Sequence, residues 1–214
     1  MGSAVLAMAV LLAACGGGSP SDSNEKPGTY KVAVTEASFP TKQSIGQTSL
    51  MKIDVENTGK ETVPALTVTV NIQGKNGTDA RIPFAIHDPQ AGLAGPDRPV
   101  WVLAATYPRR AGSSAPGGAE TSNAKTYSFG PLKPGKSVEA VWKLSAVRAG
   151  KYTVGYEIDA GLSGEAKAET SSGVRPGGTF VTNISTELPE TEVNAAGEIV
   201  EIERGGKQSG QAGG

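Results

Sequence analysis

The sequence predicts an all-β fold, an antiparallel sandwich of two sheets. Apolar and polar residues alternate with a period of two in stretch after stretch from Tyr30 onward. Gly and Pro, 29 and 14 of 214 residues, supply frequent turns between short strands. After residue 30 there is no apolar stripe at helical spacing. Roughly seven or more short strands with turn signals between them point to a sandwich. At 37% hydrophobic and 19% charged, the chain can build a packed core. Its length suits one domain with an insertion.

The strands follow in order. Tyr30, Val32 and Val34 alternate with Lys31, Ala33 and Thr35. Met51, Ile53 and Val55 alternate with Lys52, Asp54 and Glu56, and Asn57-Thr58-Gly59 ends that run as a turn. Leu66, Val68, Val70 and Ile72 form a third strand, which starts at or after Pro64 because proline cannot donate to a ladder. Residues 74 to 125 are less regular and read as a loop-rich insertion. Within them, Ile82–Ile86 and Pro99–Leu103 are candidate short strands, with Trp101 as a core anchor. The small-residue run Ala111–Gly118 reads as a long loop, the first place to seek a binding surface.

The clearest strand pair is next. Pro134-Gly135 suits the central positions of a type II turn. Val138, Ala140, Trp142 and Leu144 then alternate with polar neighbours or Val141. After Ala149-Gly150, Tyr152, Val154, Tyr156 and Ile158 repeat the pattern, and Tyr152 stands where a tyrosine corner stands in sandwich domains. Thr179–Ile184, then Glu192-Val193 with Glu198–Val200, give the last strands. Trp101 and Trp142 lie on alternating strands, so a core role is expected for both rather than stacking on sugar rings.

Leu132–Val138, the Trp142 strand and Ala149–Val154 together resemble the second half of a bacterial CARDB-type immunoglobulin-like domain. Ile53–Lys60 resembles its first half, where an Asn-x-Gly turn ends the second strand. The resemblance implies an immunoglobulin-like antiparallel β-sandwich over residues 30–203, with 74–125 as an insertion. It also implies a role similar to adhesion and spacer modules of cell surfaces. The motifs involved are turn and core residues, not site residues.

Upstream, Ala4–Ala14 is an apolar run of signal-peptide length, too short for a bilayer-spanning helix, which needs about 20 residues. Leu12-Ala13-Ala14-Cys15 resembles a bacterial lipobox, although Met1-Gly2-Ser3 carries no basic residue. Residues 1–14 are expected to be a cleaved signal peptide. Residues 15–29 would be a lipidated Cys15 and a Gly/Ser-rich tether, and residues 204–214 a disordered tail. Cys15 is the only cysteine, so no intrachain disulfide forms.

Chemistry is sparse. His87, in Ile86-His87-Asp88-Pro89, is the only histidine. It has no nucleophile elbow to serve, and zinc and copper donor sets are lacking. Oxygen ligands such as Asp88 and Asp97 permit a calcium site, but no EF-hand spacing supports one. The expectation is no catalytic residue, no metal and no cofactor. Twenty Lys and Arg balance 21 Asp and Glu without a basic stripe, so nucleic acid is not an expected partner. Asn76-Gly77-Thr78 and Asn183-Ile184-Ser185 match the glycosylation sequon by coincidence. The expected function is a lipoprotein outside the cytoplasm, anchored to the bacterial cell membrane through Cys15. It would present a non-catalytic domain for binding an envelope protein or glycan, or for spacing. The alternative is a ligand-binding or enzyme-accessory lipoprotein with a cleft formed by residues 74–125.

Overall fold

The computed structural model describes residues 25–73, 84–86, 99–113, 119–120, 126–188, 191–193, 195–197 and 199–201. Cys15, His87, Asp88, Asp97, the Asn76 sequon and the 204–214 tail lie outside the described residues. The strands are β1 (Gly28–Ser38), β2 (Lys42–Ser44), β3 (Thr48–Asn57), β4 (Thr67–Gln73) and β5 (Phe84–Ile86). They continue with β6 (Trp101–Leu103), β7 (Arg109–Arg110), β8 (Ala119–Glu120), β9 (Thr126–Ser128) and β10 (Ser137–Ala146). The last are β11 (Gly150–Asp159), β12 (Ala166–Glu169), β13 (Gly177–Ser185), β14 (Thr191–Val193) and β15 (Ile199–Glu201). No helix occurs among the described residues.

Two sheets face one another. The first runs β12-β1-β3-β10-β6-β5, with β7 also on β10, and the second runs β2-β13-β11-β4-β9-β8. β14 and β15 form a separate hairpin. The predicted sandwich is therefore present, and its long ladders are antiparallel: β3 with β10, β1 with β3, β11 with β13 and β11 with β4. The refinement is at the margins. β12 on β1, β2 on β13 and β5 on β6 are parallel pairings, and each places a short strand at a sheet edge. The segment 74–125 is also more than a loop. Its described parts supply β5, β6 and β7 to one sheet and β8 to the other.

The alternation puts one face of each strand into the core. Val32, Met51, Ile53, Val55, Ala140 and Leu144 from the first sheet are fully buried. Val68, Val70, Val154 and Ile158 meet them from the second. Two aromatic clusters fill the wider spaces. Trp101 packs against Phe39 and Tyr152, at ring-centroid distances of 5.4 and 5.7 Å. Trp142 packs edge-on against Phe129 and Tyr127, at 5.4 and 5.9 Å. Both tryptophans are 0% exposed, as their place on alternating strands predicts. Their indole N–H groups differ. Trp101 Nε1 donates to the buried Gln43 Oε1 at 2.8 Å, whereas Trp142 Nε1 has no hydrogen-bond partner among the described residues.

Turn chemistry closes the ends. Lys136 N donates to Lys133 O at 3.2 Å, and Gly135 sits at φ +64°. This left-handed conformation is the one a type II turn needs at its third position. Tyr152 Oη donates to Ala149 O at 3.0 Å, which makes the tyrosine corner. A second such bond, Tyr30 Oη to Lys26 O at 3.0 Å, fixes the start of β1.

Asn57 joins these parts. It is completely buried at the end of β3. Its Nδ2 donates to Glu61 O and Leu132 O, both at 2.8 Å, and its Oδ1 accepts from Gly59 N at 3.0 Å. One side chain thus holds the 58–61 turn against the chain arriving from β9. Arg110 makes a second tie between the sheets. From β7 its Nε donates to Phe129 O at 2.6 Å and its Nη2 to Pro131 O at 3.1 Å.

Asn57→Ala removes three buried hydrogen bonds and is expected to lower the unfolding free energy by about 3 kcal/mol in urea titrations. Asn57→Asp should be worse, because it aims a carboxylate at two carbonyl oxygens. Stability equal to the parent would show that the knot carries no weight. For the tryptophans, Trp101→Phe strands Gln43 Oε1 and should cost about 1–3 kcal/mol more than Trp142→Phe. The two urea midpoints, compared at equal slope, give that difference.

Candidate functional site

Among the described residues, the outer edge of β13 is open over part of its length. β11 pairs with β13 from Ile184 back to Gly177. β2 covers its other side only at Asn183–Ser185. Asn183 N donates to Thr41 O at 2.8 Å, and Ser185 O accepts from Ile45 N at 3.1 Å. Main-chain groups alternate between the two sides of a strand. Those of Thr179 and Val181 therefore point the same way as those of Asn183, past the end of β2. Val181 is 47% exposed. Such an edge is a template for an added strand.

Shallow grooves flank this edge. One, of about 570 Å³, is lined by Thr41, Lys42, Ser44, Gln47, Val181 and Asn183 among others. Its described walls carry amides, hydroxyls and one ammonium. That chemistry suits hydrogen-bonding partners rather than acid–base catalysis. A second, of about 310 Å³, includes Asn71, Gly155, Tyr156, Arg175 and Gly178. Beside it, Gly177 is required by close approach: a Cβ there would lie 2.5 Å from the Tyr156 main-chain oxygen. The Tyr156 ring stacks on Phe180 at 5.2 Å with planes 26° apart. A third concavity, of about 430 Å³, is charged and lined by Asp159, Lys167, Glu169 and Arg175.

Two groups here have shifted proton affinities. Burial raises the Tyr156 phenol above the ordinary 10.0. For Arg175 burial acts to lower the value, but the Asp159 hydrogen bond and the charges of Asp159 and Glu157 outweigh it and raise the net result. Arg175 Nη1 lies 2.7 Å from Glu157 Oε2, and its Nη2 also bonds Asp159. The guanidinium is therefore held by two carboxylates.

The sequence-predicted site residues fall differently. Cys15, His87, Asp88 and Asp97 are outside the described residues. Trp101 and Trp142 are core. Among the described residues, no group of three or more His, Cys, Asp or Glu side chains is placed to hold a metal ion. No described helix is long and apolar enough to cross a membrane. The β13 edge was not anticipated. Its local signal is Pro176-Gly177-Gly178, a run that opens a strand with residues too small to shield it.

No family model matches the chain, and no curated protein does. Solved structures do. One is the CARDB domain of the PF1109 protein from Pyrococcus furiosus, in complex with di-metal ions. It is 12% identical with a TM-score of 0.38, and the match covers 73% of this chain and 86% of that one. AvmM, which catalyzes macrocyclization in alchivemycin A biosynthesis, matches at 11% identity and a TM-score of 0.42, covering 75% and 91% of the two chains. Native alpha-2-macroglobulin of E. coli matches at 15% identity and 0.38, covering 77% of this chain and 8% of that one. A CARDB domain is thus among the structures this chain is similar to. The sandwich itself is read from the ladders above.

The raised Tyr156 value has a consequence at alkaline pH. A group whose folded value is raised contributes stability that is intact below its unfolded value and is lost as pH rises through the folded one. Stability should therefore fall as pH rises above about 10, and Tyr156→Phe should reduce the fall. Urea midpoints across that range check it. Parallel curves for the two proteins would assign the loss elsewhere.

Proposed function

We propose that the chain is a lipid-anchored, non-catalytic β-sandwich displayed outside the cytoplasmic membrane, which binds an envelope partner or acts as a spacer. Cys15 is the attachment point, and residues 1–14 are removed as a signal peptide. The observation that carries this reading is the order of parts. A lipobox-like tetrad and a Gly/Ser-rich run precede the sandwich, whose first strand starts at Gly28. Glu25 Oε1 accepts from Leu162 N at 2.6 Å, and Oε2 accepts from Ser163 N at 3.0 Å and Ser163 Oγ at 2.8 Å. The carboxylate clamps the chain to the 161–163 turn, so it arrives at one end of the sandwich.

The binding half of the reading is supported by the β13 edge, where main chain and groove offer hydrogen bonds to an extended segment. A cleft built by residues 74–125 draws no support from the described strands of that segment, because they complete the two sheets.

Cys15→Ser decides the anchor. In a bacterial host the parent should fractionate with membranes and carry the mass of a lipid on Cys15. The variant should remain an uncleaved or soluble precursor. Unchanged mass and membrane association in the variant would sink the proposal.

A further inference from the structure

The end of the sandwich that receives the chain also carries free positive charge. β1 starts there at Gly28, and β3, antiparallel to β1, ends there at Asn57. The turn after Asn57 lies beside the start of β1, with Thr58 N and Gly59 N both donating to Lys31 O at 3.0 Å. The 133–136 turn is tied to the same place. Gly135 N donates to Asn57 O at 2.8 Å, and Asn57 N donates to Lys136 O at 3.0 Å. Two neighbouring loops, 58–62 and 131–136, therefore project beside the point where the chain joins the domain.

These loops carry Lys60, Lys133 and Lys136 against one carboxylate, Glu61. All three lysines are exposed. None makes a side-chain hydrogen bond or ion pair with a described residue. Several nearby carboxylates are already engaged: Glu25 with the 161–163 turn, Glu169 with Lys31 at 3.0 Å, and Asp159 with Arg175. Glu56, half-buried on β3, and Glu165 remain as the other negative charges near this end, and Lys26 and Lys167 as further positive ones. With Glu157 counted, this end as a whole is balanced, seven cations against seven carboxylates, and the excess of positive charge is confined to the two loops.

We infer that the loops bearing Lys60, Lys133 and Lys136 rest on an anionic lipid surface. The inference rests on the lipid-anchor reading for its biological setting, though not for its test. Ten Cα–Cα steps separate Cys15 from Glu25, and they reach at most about 35 Å. A domain held that close to a membrane presents this end within range of the headgroups. Lysines near an anionic surface are attracted to it individually, and the attraction falls off within a Debye length. The clamp at Glu25 and the Asn57 knot together fix which loops face the lipid.

The test uses the full-length Cys15→Ser chain, so that attached lipid contributes nothing. Co-sedimentation is measured with vesicles of phosphatidylcholine alone and with about one third phosphatidylglycerol added. Binding should be stronger to the anionic vesicles. It should weaken about tenfold or more when Lys60, Lys133 and Lys136 are all changed to Gln. It should also weaken as salt rises from about 0.1 M to about 1 M, which shortens the Debye length from about 10 Å to about 3 Å. Glu61→Lys, which adds charge to the same loop without needing the triple variant to fold, should strengthen binding. Equal anionic binding by the parent, the triple variant and Glu61→Lys would overturn the inference. Failure of the anchor is read separately, from the mass at Cys15: a chain without lipid that still binds through its lysines loses the anchor and keeps the surface.

Discussion

A buried amide that must be fully paired organises this domain. Asn57 has no contact with water, so each of its polar atoms needs a partner inside the fold. It finds them on two pieces of chain: the Gly59 amide and the Glu61 carbonyl in the turn that follows, and the Leu132 carbonyl from the chain arriving from β9. The polar end of one strand thereby ties together the two connections, β3 to β4 and β9 to β10, that cross between the sheets at that end. Val63 and Leu132 form an isolated bridge beside it, and Ala65 N donates to Ala160 O. The apolar faces supply most of the gain from burial, but they do not by themselves specify where one sheet stops over the other.

The long strands were legible because their physics is local. Alternation in Met51–Val55, Leu66–Ile72, Val138–Leu144 and Tyr152–Ile158 encodes a face, and the face is buried as expected. The Pro134-Gly135 turn, the tyrosine corner and both tryptophans were legible for the same reason. The short strands were not. β2, β7, β8, β9 and β12 are two to four residues long. A period of two can hardly be detected in Arg109-Arg110, and Ala166 and Ala168 are too small to announce an inward face. Their strand character comes from neighbours distant in sequence, as when Ala168 lies opposite Tyr30.

The candidate site was illegible for a related reason. Whether a strand edge is open depends on what pairs beside it, and β2 stops at Ser44 for no reason visible in β13. The three parallel margins share that property, since each is set by a long crossover rather than a turn. The lysine end is intermediate. Lys60, Lys133 and Lys136 are plain in the sequence, yet only the Asn57 knot makes them neighbours. The attachment proposed at Cys15, in contrast, rests on a sequence motif and owes nothing to the fold.

The clamp at the start of the domain also bears on mechanics. A pull along the incoming chain meets the Glu25 carboxylate first, and then β1. That strand is flanked by β12 on its first four residues and by β3 along most of the remainder. Ladder hydrogen bonds run across the strands. A load directed along β1 therefore strains many of them together, in shear, instead of opening them one at a time. Tension delivered from a surface would be borne by the body of the first sheet, and the turn after Asn57, bonded to Lys31 O, would be among the first contacts to feel it.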